Sequence, residues 1–281
     1  MAPLDTTLSA LFALSAALTW GSGDFTNGLV TRRIGPLRTV LLSYAVGLVA
    51  LVIVALALRE TLPRPIDLLW GALAGLAGMA GLGFLFRGFA SGRMGIIAPV
   101  SAVTTAAIPV GFAALTEGLP SNVKLVGFGL ALISIWLLSR PDSLGGRPPG
   151  LGMGLLAGLG FGGFFTLIDQ VGVNAVFWPL VAARVSACTV MLVFALLTRR
   201  SVVPPRSSVG LLVLGGMLDV SGNLFFLLAA QTGRLDVASI LASFYPAVTA
   251  TWAWLIVRER LVRLQVAGVV GALIAIMLIT I

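Results

Sequence analysis

Ten stretches of about twenty mostly apolar residues, separated by arginine, proline and glycine, dominate this 281-residue sequence. A helix of about 20 residues reaches across a hydrocarbon core roughly 30 Å thick, and lipid offers no partner for backbone polar groups. Such runs therefore fold as spanning helices, expected at 8–30, 38–58, 67–90, 96–116, 123–139, 151–172, 177–197, 209–230, 236–257 and 262–280. Charged residues make up 10% of the chain and hydrophobic ones 58%, where a soluble domain carries roughly 25% charged. The expected fold class is an all-α membrane protein of ten transmembrane helices. Little chain is left for an extramembrane domain, so the chemistry is expected within the bilayer.

The net charge of +8 does not point to nucleic acid, because no basic helix or aromatic-basic array is present. Arginines in the loops read as topology determinants and headgroup contacts. Cys188 stands alone and the chain has no histidine, which excludes a disulfide framework, a cysteine-based metal site and an imidazole relay. No metal and no cofactor are expected. Met1 to Asp5 lacks the basic start of a signal peptide, so the first helix is expected to be retained.

Shifting the chain by 141 positions superimposes its halves: Gly21 on Gly162, Gly75 on Gly216, Gly81 on Gly222, Gly127 on Gly268. Arg59/Arg200, Pro63/Pro204 and the dipeptide Gly92-Arg93 with Gly233-Arg234 coincide too. Glycines could align by chance in a membrane protein; an Arg-to-Pro spacing in loops is a stronger sign of duplication. The polar link from Arg140 to Pro149 marks the junction, giving repeats at 1–140 and 150–281 within one integral unit. Five spans carry the chain across the membrane once, so the second half must enter from the opposite side. Two inverted five-helix repeats are the architecture of alternating-access transporters, with the substrate near the midplane.

The first helix carries Ala17-Leu18-Thr19-Trp20-Gly21, and the fourth and ninth end in Glu117-Gly118 and Arg258-Glu259-Arg260 before final helices containing Gly127 and Gly268. With the five-plus-five duplication, these residues resemble the EamA-type branch of the drug/metabolite transporter superfamily over essentially the whole chain. The resemblance implies transport of a small molecule; members export or import amino acids, nucleotide sugars, cations and drugs. It also implies cytosolic termini, whereas the loop charges favour the reverse. Twelve arginines fall in the loops leaving odd-numbered helices, against Arg59, Arg64, Lys124 and Arg234 in the others. Both orientations stay open.

An ionisable side chain deep in a spanning helix marks a wet cavity or a partner. Asp24, Arg87, Arg184 and Asp219 qualify, and at the 141-residue offset they face Phe165, Leu228, Ser43 and Gly78. Asp219 sits midway along its helix with Asn223 one turn on, a carboxylate and an amide on one face. Asp24 follows Trp20 by one turn, and an aromatic face beside an acid suits a cationic or zwitterionic ligand. Arg184 could grip a substrate carboxylate or pair with Asp219 or Asp24; Arg87 is near enough to a helix end to snorkel. Ser239, Ser243, Tyr245 and Pro246 mark the ninth helix as a kinked cavity wall, with Thr104 as the repeat mate of Tyr245. The expected substrate site is Asp219, Asn223, Trp20, Asp24, Arg184, Tyr245 and Ser243, with Asp219 and Asp24 as proton-coupling groups.

The function expected is secondary transport, export more than import, of a small polar metabolite that is amino-acid-like or cationic. Its partners are that solute, the lipid of the plasma (inner) membrane, and protons; the chain could act as a monomer or a homodimer. A non-transporting scaffold or accessory subunit is the alternative. An embedded enzyme is disfavoured, because without histidine only aspartate chemistry remains and no paired-aspartate motif is visible.

Overall fold

The computed structural model describes residues 3–90, 94–138, 151–252, 255–256 and 263–280. They form eleven α-helices and one 3-10 turn, with no strand among the described residues. The first half runs α1 (Pro3–Ile34), α2 (Pro36–Ala57), α3 (Pro65–Ala90), α4 (Met94–Thr116) and α5 (Asn122–Leu138). The second runs α6 (Leu151–Asp169), α7 (Phe177–Leu197), α8 (Val209–Thr232), α9 (Leu235–Ala242), α10 (Tyr245–Trp252) and α11 (Arg263–Thr280). Pro36 and Pro65 occupy first-turn positions, where the missing N–H costs nothing. The link at 140–149, Arg258, Glu259 and Arg260 lie outside the described residues, as does the side chain of Arg87.

Among the described residues, five segments are both long and apolar enough to cross a bilayer: 36–57, 65–85, 152–169, 177–197 and 206–232. The run expected at 236–257 is not one helix. Pro246 has no N–H to offer the Ala242 carbonyl, and the chain turns at Ser243 and Phe244 between α9 and α10. Every residue of α9 is buried.

The helices pack through small residues, which let backbones approach closely. α1 crosses α8 antiparallel: Ser9 lies against Gly233, Trp20 against Gly222 and Asn27 against Gly215. α6 crosses α3 in the same register, with Phe161 against Gly81 and Phe164 against Gly78. Adding 141 to the first-half members and subtracting it from the second converts Trp20–Gly222 into Phe161–Gly81. The same contact therefore recurs in both halves. α4 and α10 cover α6 and α1 respectively, α2 lies along α7 and α8, and α5 pairs with α11.

The repeat is not one uniform offset. α2 and α7 end in the same C-terminal motif, with Arg59 and Arg199 in the left-handed region (φ 52° and 51°). Glu60 N–H bonds to Ala55 O as Arg200 N–H bonds to Ala195 O, and Arg59 N–H to Leu56 O as Arg199 N–H to Leu196 O. These pairs are 140 apart, so α7 is one residue shorter than α2. Tyr44, not Ser43, is then the counterpart of Arg184. A similar slip affects the fourth helix: a Cβ on Gly162 would meet Ile108 and Thr105 O, and one on Gly21 would meet Val248 and Tyr245 O. Tyr245 corresponds to Thr105, not Thr104.

Candidate functional site

A cavity of about 130 Å³ opens between the crossed helix pairs. α1 contributes Trp20 and Asp24, and α8 contributes Asp219 and Asn223; α6 and α3 contribute Phe161, Phe165, Gly78 and Leu82. Tyr44, Arg184, Thr105 and Tyr245 complete the repeat-related part of the wall. These twelve residues are six mate pairs: Trp20/Phe161, Asp24/Phe165, Gly78/Asp219, Leu82/Asn223, Tyr44/Arg184 and Thr105/Tyr245. The cavity thus lies where the two halves face each other. Its two sides differ in chemistry, because Asp24, Asp219 and Asn223 are answered by Phe165, Gly78 and Leu82.

The scaffold positions these side chains from several directions. Glu60 caps α7: its carboxylate accepts from the Val176 N–H (2.7 Å), the Phe177 N–H (3.1 Å) and the Trp178 N–H (3.0 Å). An acid at a helix N-terminus satisfies orphan donors and meets the positive end of the helix dipole. This fixes the helix that carries Arg184. Ser9 Oγ donates to Ala229 O at 2.8 Å and holds α1 to α8. α10 is tied to α1 by Thr249 Oγ1 donating to Gly21 O (3.0 Å) and Trp252 Nε1 donating to Ser22 Oγ (2.8 Å).

Arg184 is 2% exposed and donates to Asp219 Oδ2 at 2.5 Å. Its guanidinium carbon sits 3.9 Å from the centre of the Tyr44 ring. The reading in which Arg184 pairs with Asp219 is the arrangement observed. Asp219 keeps 23% of its side chain open to the cavity. Asp24 differs: it is exposed, and among the described residues it makes no hydrogen bond or ion pair. It lies within electrostatic reach of Asp219 and Tyr245. With Arg184 paired to Asp219, Asp24 is the cavity carboxyl group that has no partner among the described residues.

Trp20 donates from Nε1 to Asn223 Oδ1 at 3.0 Å, so Asn223 orients the indole. The ring stacks on Phe165 with centroids 5.5 Å apart, and Phe165 stacks on Phe226 at 4.1 Å. Six of the seven residues expected at the site therefore meet at one cavity. Ser243 stands apart: it is fully buried, absent from the cavity wall, and donates to Ser239 O one turn back. Sequence reasoning overlooked Tyr44 and Glu60. Tyr44 could have been found by allowing the one-residue slip that brings it opposite Arg184. Glu60 carried no comparable signal, because its partners lie more than a hundred residues away.

At the far end of the bundle from Arg32 and Arg33, ionic contacts join the loops. Arg64 pairs with Asp67 at 3.0 Å, and Asp67 also accepts from the Gly172 N–H. Arg234 pairs with Asp236 at 2.8 Å and lies 3.7 Å from Glu117. Burial holds the Glu117 carboxyl above its ordinary value, with the Leu235 N–H and Arg234 pulling the other way.

Apolar helices around a cavity that holds a buried ion pair and a second aspartate, Asp24, define a multi-pass integral membrane protein with an internal polar site. The profile of the EamA-like transporter family matches twice, over residues 7–140 and 148–281, at the same 141-residue spacing as the internal repeat. The chain belongs to the EamA-like transporter family, within the drug/metabolite transporter superfamily. A solved structure titled only as the crystal structure of a protein superimposes with a TM-score of 0.80 at 14% identity, covering 97% of this chain and 98% of that one. That likeness shows a shared fold. No protein of curated function matches the sequence.

Proposed function

We propose that this protein is a secondary active transporter, working by alternating access, that exports a small metabolite bearing an amino or other cationic group. The observation that carries this reading is that Asp24 has no partner among the described residues, in a cavity whose other acid, Asp219, is paired with Arg184. A cavity whose second carboxyl group has no partner among the described residues favours a monovalent cation or a zwitterion whose ammonium meets Asp24. Trp20 and Tyr245 beside it offer ring faces to the same cation. The apolar mates Phe161, Phe165 and Leu82 support a cargo with a hydrocarbon or aromatic body opposite its charged head.

The topology belonging to this reading is ten spans in two inverted five-helix repeats, 1–140 and 150–281, in the plasma membrane. The ninth span is α9 with α10, bent at Pro246. Inverted repeats can exchange conformations and so expose one site alternately to the two sides. Asp24, assisted by Asp219, is the coupling group. A carboxylate occupied by either a proton or a cation, never both, exchanges the two, and an inward proton gradient then drives the cation out.

Flux in proteoliposomes carrying a pH gradient tests this, with labelled aromatic amines, amino acids and organic anions as probes. An amine or zwitterion should move against the proton gradient. Asp24→Asn should cut that flux by roughly 10–100-fold, the value of one charge-assisted contact. Full flux in Asp24→Asn, or transport confined to anions, would sink the proposal.

A further inference from the structure

A second concavity, sharing no lining residue with the first, lies on the outer surface between α2 and α8. It is a groove of about 670 Å³. Leu42, Val46, Val49 and Ile53 form one wall at helical spacing, opposite Leu212 and Met217. Val49 and Ile53 are 59% and 60% exposed. Pro204 and Val209 close its foot, where the chain passes from α7 to α8.

Two arginines flank that foot. Arg38 is one helical turn before Leu42 on the same face of α2, and its Nε donates to Ser201 O, which ties the α7–α8 loop beneath the groove. Arg206 lies between Pro204 and Val209 in the 3-10 turn and is exposed. Arg199 and Arg200 add charge in the same loop. Among the described residues no Asp or Glu shares this rim. The groove is therefore an apolar slot with a cationic mouth.

Its length decides what fits. From Leu42 to Val54 the wall runs about 18 Å at 1.5 Å per residue. One leaflet of hydrocarbon is about 15 Å deep, half of the 30 Å core. A spanning helix of a second copy would need the full thickness, whereas an acyl chain from one leaflet needs about this depth. We infer that the α2–α8 groove is a site for an anionic phospholipid, with an acyl chain along Val46, Val49 and Ile53 and its phosphate held by Arg206 and Arg38. Arginine suits this role, because its planar fork matches phosphate oxygens and its charge is not lost at the headgroups.

Native mass spectrometry of the full chain in mild detergent tests the site, using dioleoyl phosphatidylglycerol, dioleoyl phosphatidylcholine and free glycerol phosphate as probes. One phosphatidylglycerol per chain should be retained at concentrations where phosphatidylcholine is lost. Arg206→Gln and Arg38→Gln should each weaken retention roughly fivefold. Val49→Trp, which fills the groove, should abolish the preference, and Arg59→Gln at the other end should not change it. Equal retention of the two lipids would overturn the inference. So would competition by glycerol phosphate as effective as by the lipid, since the groove would then contribute nothing. A dimer that forms without phosphatidylglycerol and is broken by Val49→Trp would assign the groove to a second copy instead.

Discussion

Asp219→Asn and Asp24→Asn make the same substitution in the same cavity, yet the structure predicts unequal consequences for stability. Arg184 is 2% exposed, and Asp219 is its only ionic partner among the described residues. Replacing Asp219 by asparagine leaves a guanidinium buried against Tyr44 with an amide in place of a carboxylate. Breaking a buried pair from one side costs about 3–5 kcal/mol, mostly the penalty of the charge left behind. At roughly 2–4 °C per kcal/mol, the melting temperature should fall by about 6–20 °C. Arg184→Gln should cost less, because the 23% of Asp219 open to the cavity can stay hydrated. Asp24→Asn should cost nothing measurable, since no described partner is lost and its repulsion of Asp219 is relieved. The double variant Arg184→Met/Asp219→Leu removes both charges and should recover most of the loss. Thermal unfolding of the purified variants in one detergent ranks all four. A drop below about 2–4 °C for Asp219→Asn, or an equal drop for Asp24→Asn, would refute the assignment of one paired and one free carboxylate.

Two further outcomes follow from packing and burial. A Cβ on Gly222 would overlap the Trp20 indole, whereas one on Gly83 would meet nothing within 4 Å. Gly222→Ala should therefore destabilise by about 1–3 kcal/mol through overpacking and disturb the Trp20–Asn223 bond, seen as a shift in tryptophan emission; Gly83→Ala should be neutral or slightly stabilising. Glu117 is held above its ordinary value of 4.5 by burial, so in the window just above that value the folded state binds more protons than the unfolded one. Stability should fall as pH rises through that window, and Glu117→Gln should remove this decline in a pH series of melting curves.

The parts of this fold that were legible in the sequence are those that lipid dictates. Apolar length located the helices to within a few residues, because a spanning segment must satisfy its own backbone wherever it packs. The break within the ninth run was signalled only by Pro246, and a proline inside such a run can kink a helix as well as end it. The 141-residue offset was visible because glycines at crossings tolerate little change: Gly81 and Gly222 each lie under an aromatic ring. The one-residue slips were not visible, since Ser43 and Tyr44, or Thr104 and Thr105, align about equally well by residue type. The matching helix ends at Arg59 and Arg199 fix the first register, and the contacts of Gly162 with Thr105 and of Gly21 with Tyr245 fix the second.

That slip changes what the symmetry says about the site. At a uniform offset Arg184 faces Ser43, and its charge reads as an isolated departure from the repeat. In space it faces Tyr44, and the two mates touch, ring against guanidinium. The Arg184–Asp219 pair is thus anchored where equivalent positions of the two halves meet. Asp24 comes from α1, which crosses the α8 that carries Asp219, and its own mate, Phe165, stacks with Trp20 and Phe226. Duplication supplies two copies of every wall, and a site for an asymmetric cargo requires that they differ. Here the difference is concentrated in Asp24, Asp219 and Asn223 on one wall against Phe165, Gly78 and Leu82 on the other. On the proposed function, cargo recognition should depend on Asp24, the cavity carboxyl without a partner among the described residues, more than on Asp219.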